Sequence, residues 1–472
     1  MESESPKSKP PGPSSELPAT FDRPPLVHPQ QPRVLTAADY TDERTYQATR
    51  APVTLASTII PDAYRSEEFY RIEQARVWSG GWVCAGYTSQ AAEPGDTFLT
   101  RIAGQSIFVT RDTSGELRAY HNVCRHRGSQ LVCEDGNYPV IRCPYHAWGY
   151  ALDGHLLGTP YFKGLDVPPE QQALFDMSEA RGFRKEDYPL LPVSVASWGC
   201  FIFLNLGETP SPLTAWLGDL PARLARYPLG DLRLVRRQSL QIGANWKLIA
   251  ENFMEYYHLP WVHPELCNVS GFNDHYRVQG PGMYTGMCTF PVSEDEETVK
   301  LDLPTLAGLN AAEARTAYWF LIFPNVALFL LPNHLFTLVF KPDGTNRSVE
   351  CADLLVHPDA LATEGAEGKI DEIFKFWTMV NQQDVTAVER VQIGLESKAY
   401  PGGRMCYRFE EPVHRYQNMV IDRMVGRSTV PPGDKEEDPG WLEALRLAKP
   451  RARVLVGGKR HKMTEAAGAQ GA

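Results

Sequence analysis

The sequence predicts an α+β protein in two parts: an all-β part, then a part that sets an antiparallel sheet among helices. Two observations carry this. Short apolar and β-branched runs, broken by Gly, Pro and Asp, follow one another from Trp82 to Leu206. After Pro210 the apolar spacing becomes helical at Leu213–Tyr227, Asn245–His258 and Ile370–Leu395, with strand-like runs between Met283 and Leu355.

The elements follow in chain order. Residues 1–50 are rich in Pro and Ser near the start and predict a disordered tail. Phe69, Ile72, Ala75 and Val77 are spaced for a helix over Glu67–Trp78. Strands are expected at Trp82–Tyr87, Thr97–Ile102, Ile107–Arg111, Leu117–Asn122, Val140–Cys143, Gly149–Leu152 and Cys200–Leu206. The β domain is therefore placed at 51–200 and the α+β domain at 201–425. Residues 426–472 read as a basic, weakly ordered extension; from Gly440 onward, Lys and Arg outnumber Asp and Glu seven to two. The most apolar stretch, Tyr318–Pro342, has the length of a membrane span. Pro324, Asn325, Pro332, Asn333 and His334 interrupt it at strand-like intervals, so it predicts buried strands joined by turns.

Composition narrows the partners. A chain of 472 residues is long enough for two or three domains, and 43% hydrophobic with 22% charged residues is ordinary for a globular protein. A net charge of −10 makes nucleic acid an unexpected partner. The first residues have neither a secretory apolar core nor the Arg-rich, acid-poor character of a transit segment. Nine scattered cysteines, an odd number, then point to a reducing, cytoplasmic setting with free or metal-bound thiols.

Cys124, His126, Cys143 and His146 form the first constellation: Cys-x-His, sixteen residues, Cys-x-x-His. Each pair is expected at the tip of a β-hairpin loop, so that two loops grip one cofactor. Two thiolates and two imidazoles suit zinc or a [2Fe–2S] cluster. Zinc fingers usually place two Cys in one knuckle and two His in the other. One Cys and one His per knuckle suits a cluster with Cys on one iron and His on the other. Neutral His ligands raise such a cluster to about −150 to +300 mV. With Arg127, Gly128, Pro144, Tyr145, Trp148 and Gly149 around it, this stretch resembles the Rieske centre of ring-hydroxylating and related oxygenases. The resemblance implies a Rieske [2Fe–2S] domain, with Cys124 and Cys143 on one iron and His126 and His146 on the other. Cys133 has no place in the pattern and is expected to be a buried thiol.

The second constellation is Glu255, His258 and His263. Glu255 and His258 are three apart and expected on one helical face. His263 lies about 140° further round an ideal helix. Pro260 is expected to end or kink that helix, bringing both imidazoles to one metal. Asp384, on a predicted helix, is the candidate third ligand. Two His and one carboxylate leave open positions on non-haem Fe(II).

Glu-x-x-His-x-x-x-x-His, together with Asp384 and the run Gln392-x-Gly394-Leu395-x-Ser397, is similar to the catalytic domain of the same oxygenases. What the resemblance implies is a helix-grip-like domain in which His258, His263 and Asp384 bind mononuclear iron. Glu255 then links His258 to a Rieske His, expected to be His146, of a neighbouring subunit in a homotrimer. The family more often has Asp at this position. Asn252 is a candidate for a hydrogen bond near the iron or an amide satisfied by backbone. His275 and His334 read as ordinary polar residues.

No dinucleotide fingerprint and no plant-ferredoxin Cys spacing is found, so a separate NAD(P)H-dependent reductase or ferredoxin is expected to supply electrons. The motifs ENFMEYYH and ERVQIGLESKAY look closest to the choline monooxygenase and betaine-demethylating branch. That branch takes O2 and a small quaternary ammonium substrate, whose cation is held by aromatic faces. Candidates are Tyr256, Tyr257, Trp261, Phe272, Tyr276, Tyr284, Phe290, Trp319 and Phe323. The alternatives are an aromatic acid or ring hydroxylase, and, in another class, a Rieske electron carrier without oxygenase activity.

Overall fold

The computed structural model describes residues 34–162, 168–174, 182–268, 270–291 and 303–434. A seven-stranded antiparallel sheet organises the second half. Its strands run in the spatial order Arg233–Ile242, Ser348–Val356, Leu335–Pro342, Val326–Leu330, Ala317–Ile322, Tyr284–Pro291 and Ser270–Arg277. The apolar stretch Tyr318–Pro342 forms buried strands joined by turns, as expected, and they are the three middle strands of the sheet. Among the described residues no helix is long and apolar enough to cross a membrane.

Two helices carry the chemistry. Trp246–Phe253 is capped by Asn245, whose side chain accepts from Lys247 N. Ala366–Leu395 buries Ile370, Ile373, Trp377, Val380, Asn381, Val385, Val388, Gln392 and Leu395. Their three- and four-residue spacing is one helical stripe, and Asp384 lies on it. A third helix, Tyr407–Met424, was not expected; it contains Pro412 and a non-helical turn at Glu410.

The first half carries smaller sheets. Strands Asp96–Ile102, Gln105–Arg111 and Leu117–His121 form one with Gly136–Asn137; Ile141–Arg142, Gly149–Tyr150 and Leu156–Gly158 form another. A third joins Val83–Tyr87 to the hairpin Ser194–Trp198 and Phe201–Asn205. That hairpin crosses residue 200, so the sequence boundary falls inside one sheet. The expected helix Leu213–Tyr227 is two short ones, Leu213–Leu217 and Leu220–Arg223. Gly218 breaks it at φ +59°, where a Cβ would lie 1.8 Å from the Pro281 carbonyl oxygen.

The tail is ordered well before residue 50. Tyr40, Tyr46 and Thr49 are buried, and Arg50 pairs with Asp422 on the Tyr407–Met424 helix at 2.5 Å. Residues 1–33 lie outside the described residues. At the other end, Gly426–Asp434 is anchored by Asp434, which pairs with Arg277 at 2.9 Å; the rest of the basic extension lies outside.

The segment before Trp82 packs on the catalytic half rather than on the β part that follows it. Glu73 and Lys247 form a fully buried ion pair at 2.7 Å, and Trp246 Nε1 donates to the same carboxylate at 2.8 Å. Removing one partner of such a pair costs about 3–5 kcal/mol. Tyr64 donates to Glu251 at 2.7 Å. Both contacts pin the helix Trp246–Phe253, and with it the start of the metal-binding segment.

Candidate metal centres

The two Cys–His loops are built alike. In the first, Cys124 N donates to Ser129 O at 2.7 Å, and Gly128 N donates to Cys124 O at 3.0 Å. In the second, Cys143 N donates to Trp148 O at 2.8 Å, and Ala147 N donates to Cys143 O at 3.0 Å. The residue closing each turn is left-handed, with φ +72° at Gly128 and +56° at Ala147. Only the second loop is a hairpin tip, between Ile141–Arg142 and Gly149–Tyr150. The strands flanking the first pair elsewhere. That loop is held instead by Asn122, whose side-chain oxygen accepts from Leu131 N and Val132 N at 3.0 and 2.9 Å.

The loops bring all four side chains together. Cys124 and Cys143 are buried, and the His126 and His146 rings lie 4.6 Å apart. His126 stacks on Trp148 at 4.8 Å. Its Nδ1 is buried and has no hydrogen-bond partner. A buried imidazole nitrogen left unpaired beside two thiols and a second imidazole fits a metal cluster. Burial works against the Cys143 thiolate, but the N–H groups of His146 and Tyr145 outweigh it and hold this thiol below its ordinary range. Tyr150 O–H accepts from Arg125 N at 3.0 Å and lies 3.4 Å from the Cys124 sulfur, which leaves its proton for that sulfur. Cys133 is exposed, not buried as expected, because it lies beyond the loop anchored by Asn122.

The second centre joins residues far apart in sequence. Ligand atoms of His258, His263 and Asp384 all lie within 4.8 Å of one another. Asp384 Oδ1 is 3.4 Å from His258 Nε2 and 2.7 Å from His263 Nε2. On the far side of each ring, Nδ1 of His258 meets Glu255 Oε1, and Nδ1 of His263 meets Gln383 Oε1 at 2.7 Å. Nδ1–H donation to these acceptors turns both Nε2 lone pairs toward Asp384, the usual outer support of a metal-binding imidazole. The donor set fits non-haem iron. Burial disfavours the His258 cation, but Glu255 and Asp384 outweigh it and raise its pKa. Gln383 was missed by the sequence reading; its only signal was being next to Asp384.

The local backbone differs from the expectation. Helix Trp246–Phe253 ends before Glu255, so Glu255 and His258 do not share a helical face. The Glu255 carboxylate instead caps the next turn, accepting from the N–H groups of Tyr257 and His258. Pro260 sits in the first turn of a new short helix, Leu259–Val262, where a missing N–H costs nothing. The chain thus restarts rather than kinks, and His263 follows directly after it.

Two residues before His258 in the chain, Tyr256 stacks on His275 at 4.8 Å; His275 lies 5.9 Å from Trp319, and Phe409 meets both Tyr256 and Phe272 at 5.1 and 5.0 Å. Phe409 was not anticipated, because its helix was not. Tyr284 bonds Asp219, and Phe323 packs on Trp216 and Tyr416, away from this cluster. Trp261 is exposed, Tyr257 half-exposed and Tyr276 buried. The side chain of Phe290 lies outside the described residues. His334 is an ordinary buried polar residue that accepts from Trp377 Nε1 at 2.8 Å. Asn252 lines a small cavity with Glu350, Asn381 and Asp384.

Comparison with known proteins follows the same division. Residues 81–169 match the Rieske [2Fe-2S] domain, and residues 229–426 match the ring hydroxylating alpha subunit (catalytic domain). The glycine betaine monooxygenase oxygenase subunit of Pseudomonas aeruginosa is 27% identical over 394 residues, covering 77% of this chain and 88% of that protein. The chloroplastic choline monooxygenase of Atriplex hortensis is 27% identical over 359 residues, covering 75% of each. Among solved structures, the quaternary ammonium Rieske monooxygenase CntA superposes with a TM-score of 0.67 at 23% identity, covering 80% of this chain and 98% of that one. Naphthalene 1,2-dioxygenase superposes with a TM-score of 0.65 at 20% identity, covering 82% and 95%.

Proposed function

From a chain that joins a Rieske [2Fe-2S] domain to a ring-hydroxylating α-subunit catalytic domain, and is therefore a Rieske-type oxygenase, we propose an enzyme that uses O2 to hydroxylate or N-demethylate a small quaternary ammonium compound. In this reading Cys124, Cys143, His126 and His146 hold the cluster, and His258, His263 and Asp384 hold mononuclear iron. The observation that carries it is the convergence of those last three side chains in a chain that also has the mixed Cys–His loops. An electron carrier needs only the loops, so the convergence disfavours that alternative.

When bound, the two groups supply single electrons and a ferrous site for O2. Hydroxylation consumes O2, two electrons and two protons, and releases water. The chain's own part is orientation and exclusion of water. Glu255 and Gln383 fix the two imidazoles through Nδ1. In this reading Glu255, bonded to His258 Nδ1, also links that ring to a second imidazole, that of His146 from a neighbouring copy in a trimer. Asn252 stands beside Asp384 in the same cavity. Electrons come from a separate reductase or ferredoxin, in the cytoplasm.

The substrate class rests on the glycine betaine and choline monooxygenases to which the chain is similar, and on the aromatic cluster. In this reading Tyr256, Phe272 and Trp319 supply the π faces, each worth about 0.5–2 kcal/mol to a cation, while Phe409 is stacked between Tyr257 and Phe272. The test is anaerobic iron analysis followed by O2 uptake with a reductase, using choline, glycine betaine, carnitine, proline betaine and benzoate. Iron should reach about three per chain, two of them in the cluster. Uptake should be coupled to product with a quaternary amine. Coupled uptake with benzoate alone would select the aromatic-acid alternative.

A further inference from the structure

The cavity beside Asp384 contains a carboxylate that the proposed function does not use. Glu350 lies on the strand Ser348–Val356, is 1% exposed, and has no cationic partner among the described residues. Its Oε1 accepts from Asn381 Nδ2 at 2.7 Å, while its Oε2 is buried without a partner. The cavity is walled by Asn252, Glu350, Asn381 and Asp384, together with Ile242, Leu338 and other apolar groups.

We propose that Glu350 is a positioning residue for Asp384: it anchors Asn381 directly and, with Asn252 and Asp384, holds one water molecule in this cavity. The proposal rests on the reading that Asp384 holds iron. Leaving a buried polar atom unmade costs about 1–3 kcal/mol, and ordered water is the usual remedy. A water needs two to four polar partners, and four polar side chains line this small cavity. Asn381 and Asp384 are three apart on one helix and share a face, so tying Asn381 to the sheet sets the height and rotation of Asp384. Burial raises the Glu350 pKa to about 7, against the Asn381 hydrogen bond, with Asp384 and Asp353 adding to the rise. With Asn381 on one oxygen and no cation beside it among the described residues, Glu350 serves as a hydrogen-bonding group rather than half of an ion pair.

The test compares wild type, E350A and E350Q, all loaded with cluster, for Fe(II) binding at the mononuclear site and for the electron paramagnetic resonance of its nitric oxide adduct. Losing an outer support typically weakens metal binding 10–100-fold. E350A should show that loss and an altered signal. E350Q keeps the acceptor for Asn381 and offers a donor to the water, so it should bind within about threefold of wild type. The cluster's visible spectrum should not change in either. If E350A does not fold, N381A cuts the same link and should show the same loss. Wild-type binding and signal in E350A, or in N381A, would overturn the proposal. So would an E350Q as impaired as E350A. If wild type takes no iron beyond the cluster, the assignment of His258, His263 and Asp384 fails, and this proposal with it.

Discussion

His263 Nε2 and Asp384 Oδ1 lie 2.7 Å apart although 121 positions separate them in the chain. One belongs to the segment after Trp246–Phe253, the other to the long helix, and the fold brings them together. Replacing Asp384 with Ala removes the only carboxylate of the group. D384A should keep the cluster's colour and two irons per chain but lose the third and all product formation. Metal analysis after dialysis checks this; a D384A protein with wild-type iron would remove Asp384 from the ligand set.

Glu255 contacts the backbone and His258 Nδ1, on the far side of that ring from Asp384, and is not itself one of the converging ligand side chains. E255Q retains an acceptor for His258 Nδ1, so iron and cluster content should persist. Turnover should fall roughly 10- to 100-fold or more, because the carboxylate's charge is gone. Steady-state product formation beside iron analysis tests it, and unchanged turnover would refute a linking role.

Tyr150 donates toward the Cys124 sulfur. A hydrogen bond to sulfur favours the reduced cluster, which carries the extra negative charge. Y150F should therefore lower the midpoint potential. A bond worth about 1 kcal/mol corresponds to on the order of 40 mV for one electron. Protein-film voltammetry would read the shift, and a rise in potential would contradict the assigned donor.

Burial raises the Glu251 pKa from 4.5 to about 7, against hydrogen bonds from Tyr64 and Gln417 and the attraction of Lys247. Between those two values the folded chain holds a proton that the unfolded chain has released. Its contribution is complete below pH 4.5 and is lost as pH rises through about 7. E251Q cannot lose that proton. Its melting temperature relative to wild type should accordingly be higher at pH 8 than at pH 5, and an equal or opposite difference would place the titration elsewhere.

The parts legible in the sequence were those whose chemistry is local. Cys124, His126, Cys143 and His146 sit in two short loops, so spacing alone exposes them. The strands of Tyr318–Pro342 are apolar on both faces and stand out for that reason. The strand Arg233–Ile242 did not, because it lies at the sheet edge and alternates exposed Arg and Gln with half-buried residues. The shared helical face of Glu255 and His258 failed for a different reason. Their three-residue spacing is as compatible with a side chain capping a turn as with a helix, and only the end at Phe253 decides. Glu350 and Asn381 were invisible because their bond spans 31 positions between a strand and a helix.

The strands Val83–Tyr87 and Phe201–Asn205 are hydrogen-bonded neighbours, and the chain runs out through one and back through the other. Everything between them, cluster loops included, leaves and re-enters at a single doorway, while residues on both outer flanks build the other half. The cluster-bearing part is thus an insert rather than a leading module. Transplanting it between relatives would mean grafting one closed excursion with its two ends side by side, whereas clipping the chain near residue 200 would split a hairpin and strand the segment that braces Lys247.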